Sequence, residues 1–317
     1  MLDSAQALAF KEAAAAYIAA HRAGWRNAKH AAQWENTLAT YAEPVIGALS
    51  VQAIDTTLIL KVLEPIWRIK PETASRLRGR IETVLDWAKV RGYRTGENPA
   101  RWRGHLDMLL PAPSKVRPIK HHAALPYGEL ADFVHALRER EGVAARALEF
   151  TILTAARTGE VIGATFDEIN TSDSIWMVPA PHMKSGKEHR VPLSGRAIAI
   201  VEQMNFSREA RDGFLFPGGR RGRPLSNMAM AALLERMGRG DVTVHGFRST
   251  FRDWAAESTN FPSEVVEMAL AHAVGSKVEA AYRRGDLFEK RQQLMDAWER
   301  YCDDTGATVV PIARQKP

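Results

Sequence analysis

The sequence predicts a mainly α-helical chain with a small β-hairpin or sheet, an α+β protein built in two parts. Three observations carry this. Apolar residues recur at helical spacing along most of the chain. One stretch departs from that pattern: the short runs 175–179 and 189–193 flank a loop containing Ser185-Gly186, which is a hairpin signal. A third stretch, Pro111 to His122, is rich in proline and basic residues and lacks periodicity, as an extended linker would. The expected organisation is a helical domain over 1–110, a basic linker over 111–122, a larger domain over 123–302 and a loose tail over 303–317. A length of 317 residues suits two domains.

The first domain reads as four helices. AFKEAAAAYIAAHR is helical by propensity. Asn27 can cap a second helix that ends around Pro44 and Gly47. Asp55 precedes a third, with an apolar stripe from Leu58 to Ile66 that Pro65 should kink or end. Pro71 fits the first turn of a fourth, with Leu77, Ile81, Val84, Leu85 and Ala88 on one face and several arginines elsewhere. In the second domain, helices are expected at 128–140 and 143–156. Ser194, Ser226 and Ser263 can cap three more, and Ser276 with Glu279 forms a capping box before a short one. The helix opening near His245 buries Phe247, Phe251, Trp254 and Ala255. The last, from Asp286, carries Leu287, Phe288, Leu294, Met295, Trp298 and Tyr301.

Composition excludes several classes. Hydrophobic residues make up 45% and charged residues 25%, which is ordinary for a folded chain. The longest apolar run, Ala13 to Ala20, is too short to cross a bilayer, and the N-terminus lacks the pattern of a secretory signal. One cysteine, Cys302, permits no internal disulfide. The net charge is +6, and its excess is confined to the first third: residues 1–122 hold 18 Lys and Arg against 11 Asp and Glu. Such asymmetry fits either a solvated basic surface or an acidic partner, nucleic acid first.

Four segments carry chemistry. In HGFRSTFRDWAAES, His245, Arg248 and Arg252 share a face opposite the aromatic residues; arginine forks suit anions, and histidine passes protons near neutrality. TAARTGEV sets Arg157 before Gly159, which permits a turn, and Glu160. HMKSGKEHRVPLS carries Lys184 and Lys187 near the hairpin tip. LAHAVGSKVEAAYRRGD holds His272 and Tyr282. Each alone reads as ordinary structure: a solvated face, a helix end, a charged turn, a packed tyrosine.

Together and in this order, they resemble the tyrosine recombinase, or phage integrase, family over 125–302. The N-terminal part resembles the family's core-binding domain and the rest its catalytic domain. The resemblance implies a site-specific recombinase, of a prophage or genomic island, that cuts and rejoins DNA through a 3′-phosphotyrosyl intermediate without metal, cofactor or ATP. A topoisomerase of the same chemistry, or an inactive DNA-binding protein, is the alternative. It implies that Arg157 and Arg248 clamp the scissile phosphate, His245 helps move the nucleophile's proton, and His272 bonds a phosphate oxygen. Lys184, matched through its Met-Lys motif in preference to Lys187, protonates the leaving 5′ oxygen. Tyr282 is the nucleophile and Glu160 an acidic supporting residue. The spacing of ten from His272 to Tyr282 is one longer than in many members, a subfamily loop difference.

Expected DNA contacts are Arg76, Arg78 and Arg80 on the basic helix and Lys115, Arg117 and Lys120 in the linker. Expected partners are double-stranded attachment sites, three further copies in a homotetramer and accessory DNA-bending factors, in the bacterial cytoplasm at the nucleoid. The last helix packs in its own chain or is donated to a neighbour. An N-terminal arm-binding domain, often present in such integrases, is not evident, so it is either absent or removed.

Overall fold

The computed structural model describes residues 8–25, 28–116, 122–206, 213–272 and 285–304. The chain divides into two compact units, 1–120 and 121–317.

In the first unit, α1 (Phe10–His21), α2 (Ala28–Thr37), α3 (Thr56–Trp67) and α4 (Pro71–Val90) enclose a core that includes Phe10, Leu38, Ile59, Leu63, Leu77 and Ile81. Two prolines behave differently from expectation. Beyond α2 the chain does not stop at Pro44 but continues as a π-helical stretch, Leu38–Gly47. The wider turn relieves the clash that a proline ring makes with the carbonyl four residues back. Pro65 likewise does not end α3, which runs on to Trp67. It lies in the last turn, where little remains to be broken, and Trp67 is buried with its indole donating to Pro111 O at 2.9 Å. Asp55 caps α3 by accepting from Leu58 N at 2.9 Å, and Pro71 opens α4. Within the expected extended linker, one helical turn, α5 (Pro113–Val116), forms behind Pro113, and Val116 packs on this core. The Asn27 cap lies outside the described residues.

The second unit begins with α6 (Leu130–Arg138) and α7 (Val143–Thr154). After α8 (Thr158–Gly163) comes a three-stranded antiparallel sheet in the order β1 (Ile169–Asn170), β2 (Ile175–Val178), β3 (His189–Pro192). Trp176 pairs with Val191, and both face the core. Then follow α9 (Gly195–Phe206), α10 (Ala229–Arg236), α11 (Gly246–Ser258), α12 (Ser263–Ala269) and α13 (Phe288–Asp303). Ser194 does not cap α9: its hydroxyl makes no hydrogen bond, and the Glu299 carboxylate accepts from Arg196 N instead. Nor does a side-chain cap form on α10 or α12. The capping box at Ser276 and Glu279 lies outside the described residues.

The last helix, α13, is packed within its own chain. Leu294, Met295, Trp298 and Cys302 are buried, and Trp298 sits against Phe251 and Trp254 with its indole donating to Ile152 O at 2.8 Å. No helix among the described residues is long and apolar enough to cross a membrane.

Candidate active site

Helix α7 ends at Ala155, which adopts the left-handed conformation at φ 49°. This residue, not Gly159, makes the turn; Gly159 lies inside α8. The turn aims the Ala155 carbonyl at α11, where Arg248 Nη1 donates to it. Arg248 Nη2 donates to Leu270 O at 2.6 Å. Arg157 reaches the same place from the start of α8: its Nη2 donates to Ala271 O at 3.2 Å and Leu270 O at 3.4 Å. Two guanidiniums thus converge on one carbonyl at the end of α12. Like charges so close are costly, and each needs compensation. Glu160 compensates Arg157 by accepting from its Nη1 at 2.7 Å and its backbone N at 2.9 Å. Arg248 is 5% exposed, and burial, then the charge of Arg157, lowers its pKa to about 10. Its described hydrogen-bond partners are carbonyls and one imidazole; the carboxylates of Glu160 and Glu267 act on it only through space.

That imidazole is His272, whose Nε2 lies 3.1 Å from Arg248 Nη2. A guanidinium only donates, so Nε2 accepts here. Nδ1, 2.6 Å from Glu267 Oε2, then carries the proton. Glu267 also accepts from Arg252 Nε at 2.7 Å. Burial pushes the Glu267 carboxyl up, but its bonds with Arg252 and His272 outweigh this and hold it below the usual range. Arg252, expected beside Arg248, is therefore engaged by Glu267. His245 lies at the start of α11. Burial of part of its ring, then His122, Arg248, Arg157 and His272, holds its pKa below the ordinary histidine value.

The described structure gathers Arg157, Glu160, His245, Arg248 and His272. Lys184 is exposed on the turn closed by Gly186 N donating to Met183 O at 3.0 Å. Buried Met183 anchors that turn. Lys187 is exposed as well, with its backbone bonded to Ser185 Oγ, and no side-chain contact distinguishes the two lysines among the described residues. Tyr282, Arg117 and Lys120 lie outside the described residues. In the first unit, Arg76 is exposed and pairs with Glu72, and Lys115 is exposed. Arg78 is turned to Glu82 and to Ala100 O, and Arg80 is buried, donating to Gln33 O at 2.7 Å beneath the Trp34 ring.

Three residues that sequence reasoning did not single out belong to this region. Glu267 orients His272. His122 stacks edge to face on His245 at 4.6 Å. His189 on β3 is driven to a pKa of about 4 by burial and by the charges of Arg291 and Arg157, and bonds to the Ala269 backbone. Beside it, Asp286 accepts from Arg190 at 2.7 and 3.0 Å and from Arg291 at 2.7 Å, tying the residues before α13 to β3.

The comparisons with known proteins agree with this geometry. Residues 10–105 match the phage integrase central domain, and residues 125–287 match the phage integrase family. Prophage integrase IntZ of Escherichia coli is 32% identical over 94% of this chain and 72% of its own length. Prophage integrase IntA of the same organism is 33% identical over 84% of this chain and 64% of its own. The solved structure of a lambda integrase tetramer bound to a Holliday junction shares the fold at 16% identity, with a TM-score of 0.64 over 85% of this chain and 79% of that one. The chain belongs to the phage integrase family. It is a site-specific recombinase of the tyrosine type, an enzyme of DNA integration and recombination.

Proposed function

We propose that this chain cleaves duplex DNA at an attachment site by forming a 3′-phosphotyrosyl bond to Tyr282. The phenol oxygen attacks phosphorus, the bond to the 5′ oxygen breaks, and the phenol proton passes to His245. Lys184 supplies the proton that the leaving 5′ oxygen takes up. Attack by the 5′ hydroxyl of another strand reverses the step, so the bond energy is kept and strands are exchanged. Arg157 and Arg248 hold the non-bridging oxygens, His272 turns its Nε2 from Arg248 and bonds one of them as the imidazolium, and Glu160 keeps Arg157 in place.

The observation that carries this reading is the convergence of Arg157 and Arg248 on Leu270 O, with Arg248 lacking a carboxylate partner among the described residues. Arg248 commits three of its five N–H donors there. A phosphodiester supplies the charge that the pair lacks, and the donors are already in position, which is how such sites stabilise a developing anionic transition state.

The core-binding domain (1–110), the linker (111–122) and the catalytic domain (123–302) engage DNA together, with Arg76, Lys115, Arg117 and Lys120 on phosphates. Arg78 and Arg80 serve chiefly to hold the first unit together. Affinity from such contacts falls with salt. The working assembly is a tetramer on two sites, aided by DNA-bending factors and acting at the bacterial nucleoid; the lambda integrase of similar fold is solved as a tetramer bound to a Holliday junction.

The test uses nicked suicide duplexes tiled across the DNA flanking the gene. Wild type should give a denaturant-resistant protein–DNA adduct on one of them, and Tyr282→Phe should give none. Absence of any adduct from wild type across all duplexes, with binding intact, overturns the reading.

A further inference from the structure

The residues just before α6 are fastened to the start of α11. Thr243 donates to Ala123 O through its backbone N at 2.9 Å and its hydroxyl at 3.2 Å. Thr250 Oγ1 donates to Leu125 O at 2.6 Å. Between these fixings the two backbones pass so closely that a Cβ on Gly246 would lie 2.0 Å from Ala123 O. Gly246 is therefore required by contact, not by conformation. This crossing delivers the His122 ring to His245, with centroids 4.6 Å apart and planes at 63°.

We propose that His122 is a positioning residue of the active site: it braces the His245 ring and sets how readily His245 takes up a proton. The proposal rests on the recombinase reading above, in which His245 receives the phenol proton. Two imidazoles at this separation do not both carry charge without mutual cost. His245 also faces Arg248, Arg157 and His272. Part of the His245 ring is desolvated while His122 is exposed, so charge is disfavoured on the His245 ring. His245 then stays neutral, the form that can accept a proton. The depressed pKa of His245, to which His122 contributes, agrees.

The test compares wild type, His122→Phe and His122→Ala on the suicide duplex that wild type cleaves, following single-turnover adduct formation against pH, with affinity measured by fluorescence anisotropy. Phenylalanine keeps a ring in place but removes the imidazole. It should keep the maximal rate within about twofold while moving the acid limb to higher pH, since His122 contributes to holding the His245 pKa down. Alanine removes the brace too and should lower the maximal rate about tenfold. Both should bind DNA as wild type does. An unshifted acid limb in His122→Phe, or slower cleavage explained entirely by lost affinity, overturns the proposal. Failure of wild type itself to form an adduct would instead overturn the recombinase reading.

Discussion

Two arginine clusters lie within the catalytic unit, one around buried Glu149 and one around buried Arg248, and they are balanced in different ways. At the first, Glu149 is fully buried and accepts from Arg138 at 2.6 Å and Arg196 at 2.7 and 3.0 Å, with Arg146 at 3.2 Å. Burial pushes the Glu149 carboxyl up, but the bonds from Arg196 and Arg138 prevail and hold it below the usual range. This cluster ties α6, α7 and α9 together, and Arg138 extends it to Asp303 on α13. At the second, Arg157 hydrogen-bonds to one carboxylate and Arg248 to none among the described residues, Glu160 and Glu267 acting on it only through space. The first cluster is closed: its central carboxylate is engaged on every side. The second leaves positive charge facing whatever enters. Buried charge alone therefore does not mark a functional site. A buried guanidinium whose hydrogen bonds reach only carbonyls and an imidazole is the stronger mark, because an entering anion can pair with it directly.

Removing the second cluster's key group should have the largest effect. Arg248→Ala should lower the rate of adduct formation at least 10²- to 10³-fold, as loss of one preorganised donor does. Arg248→Lys should not restore it, since an ammonium cannot bridge Ala155 O and Leu270 O as a fork does. Single-turnover kinetics on the suicide duplex measures both. If Arg248→Ala cleaves at the wild-type rate, the two clusters do not differ in function.

The first cluster should respond in stability. Glu149→Gln leaves three guanidiniums short of charge and should cost about 3–5 kcal/mol, read as a lower midpoint in urea unfolding. Because the folded-state pKa of Glu149 is depressed, its contribution is present above the unfolded carboxylate value and is lost as pH falls through the folded one. The slope of stability below about pH 4.5 should therefore flatten in the variant.

His189 acts in a different window. Its folded-state pKa, about 4, lies below the unfolded histidine value, so the unfolded chain binds the extra proton between them. Stability should fall as pH drops from about 6.5 toward 4, by up to about 3 kcal/mol. His189→Gln should remove that part of the slope while leaving the Glu149 window intact. An unchanged profile between pH 4 and 6.5 would show that His189 is not held neutral.

Glu267→Gln should give the smallest of these effects. It weakens the hold on His272 and removes a charge that acts on Arg248 only through space, and should slow adduct formation about tenfold with DNA affinity unchanged by anisotropy. A loss as large as that of Arg248→Ala would place Glu267 in the clamp itself.

Much of the site was legible because its parts keep a fixed order in the chain. Arg157, His245, Arg248 and His272, which the described structure brings together, stand out by that order although each is ordinary alone; Lys184 stays exposed on its turn, and Tyr282 lies outside the described residues. Glu267 and His122 do not stand out, since nothing local distinguishes them: Glu267 is five residues from His272 at no regular helical spacing, and His122 meets His245 only because Ala123 is pinned across Gly246. In the first unit the basic helix was legible as basic. That Arg80 turns inward to Gln33 O was not, since helical periodicity gives the face of a residue but not the reach of a long side chain.

Local pattern alone marked most of the helices and the β2–β3 hairpin, because each depends on residues close in sequence; it did not show the helical path through Pro44 or the addition of β1 to the sheet. Tertiary structure decided which charges are answered. Arg248 meets His272 and Ala155 across separations of 24 and 93 residues, and whether a buried guanidinium finds a carboxylate or only carbonyls depends on which distant elements pack around it. Electrostatic balance is a property of that packing, and no window along the chain contains it.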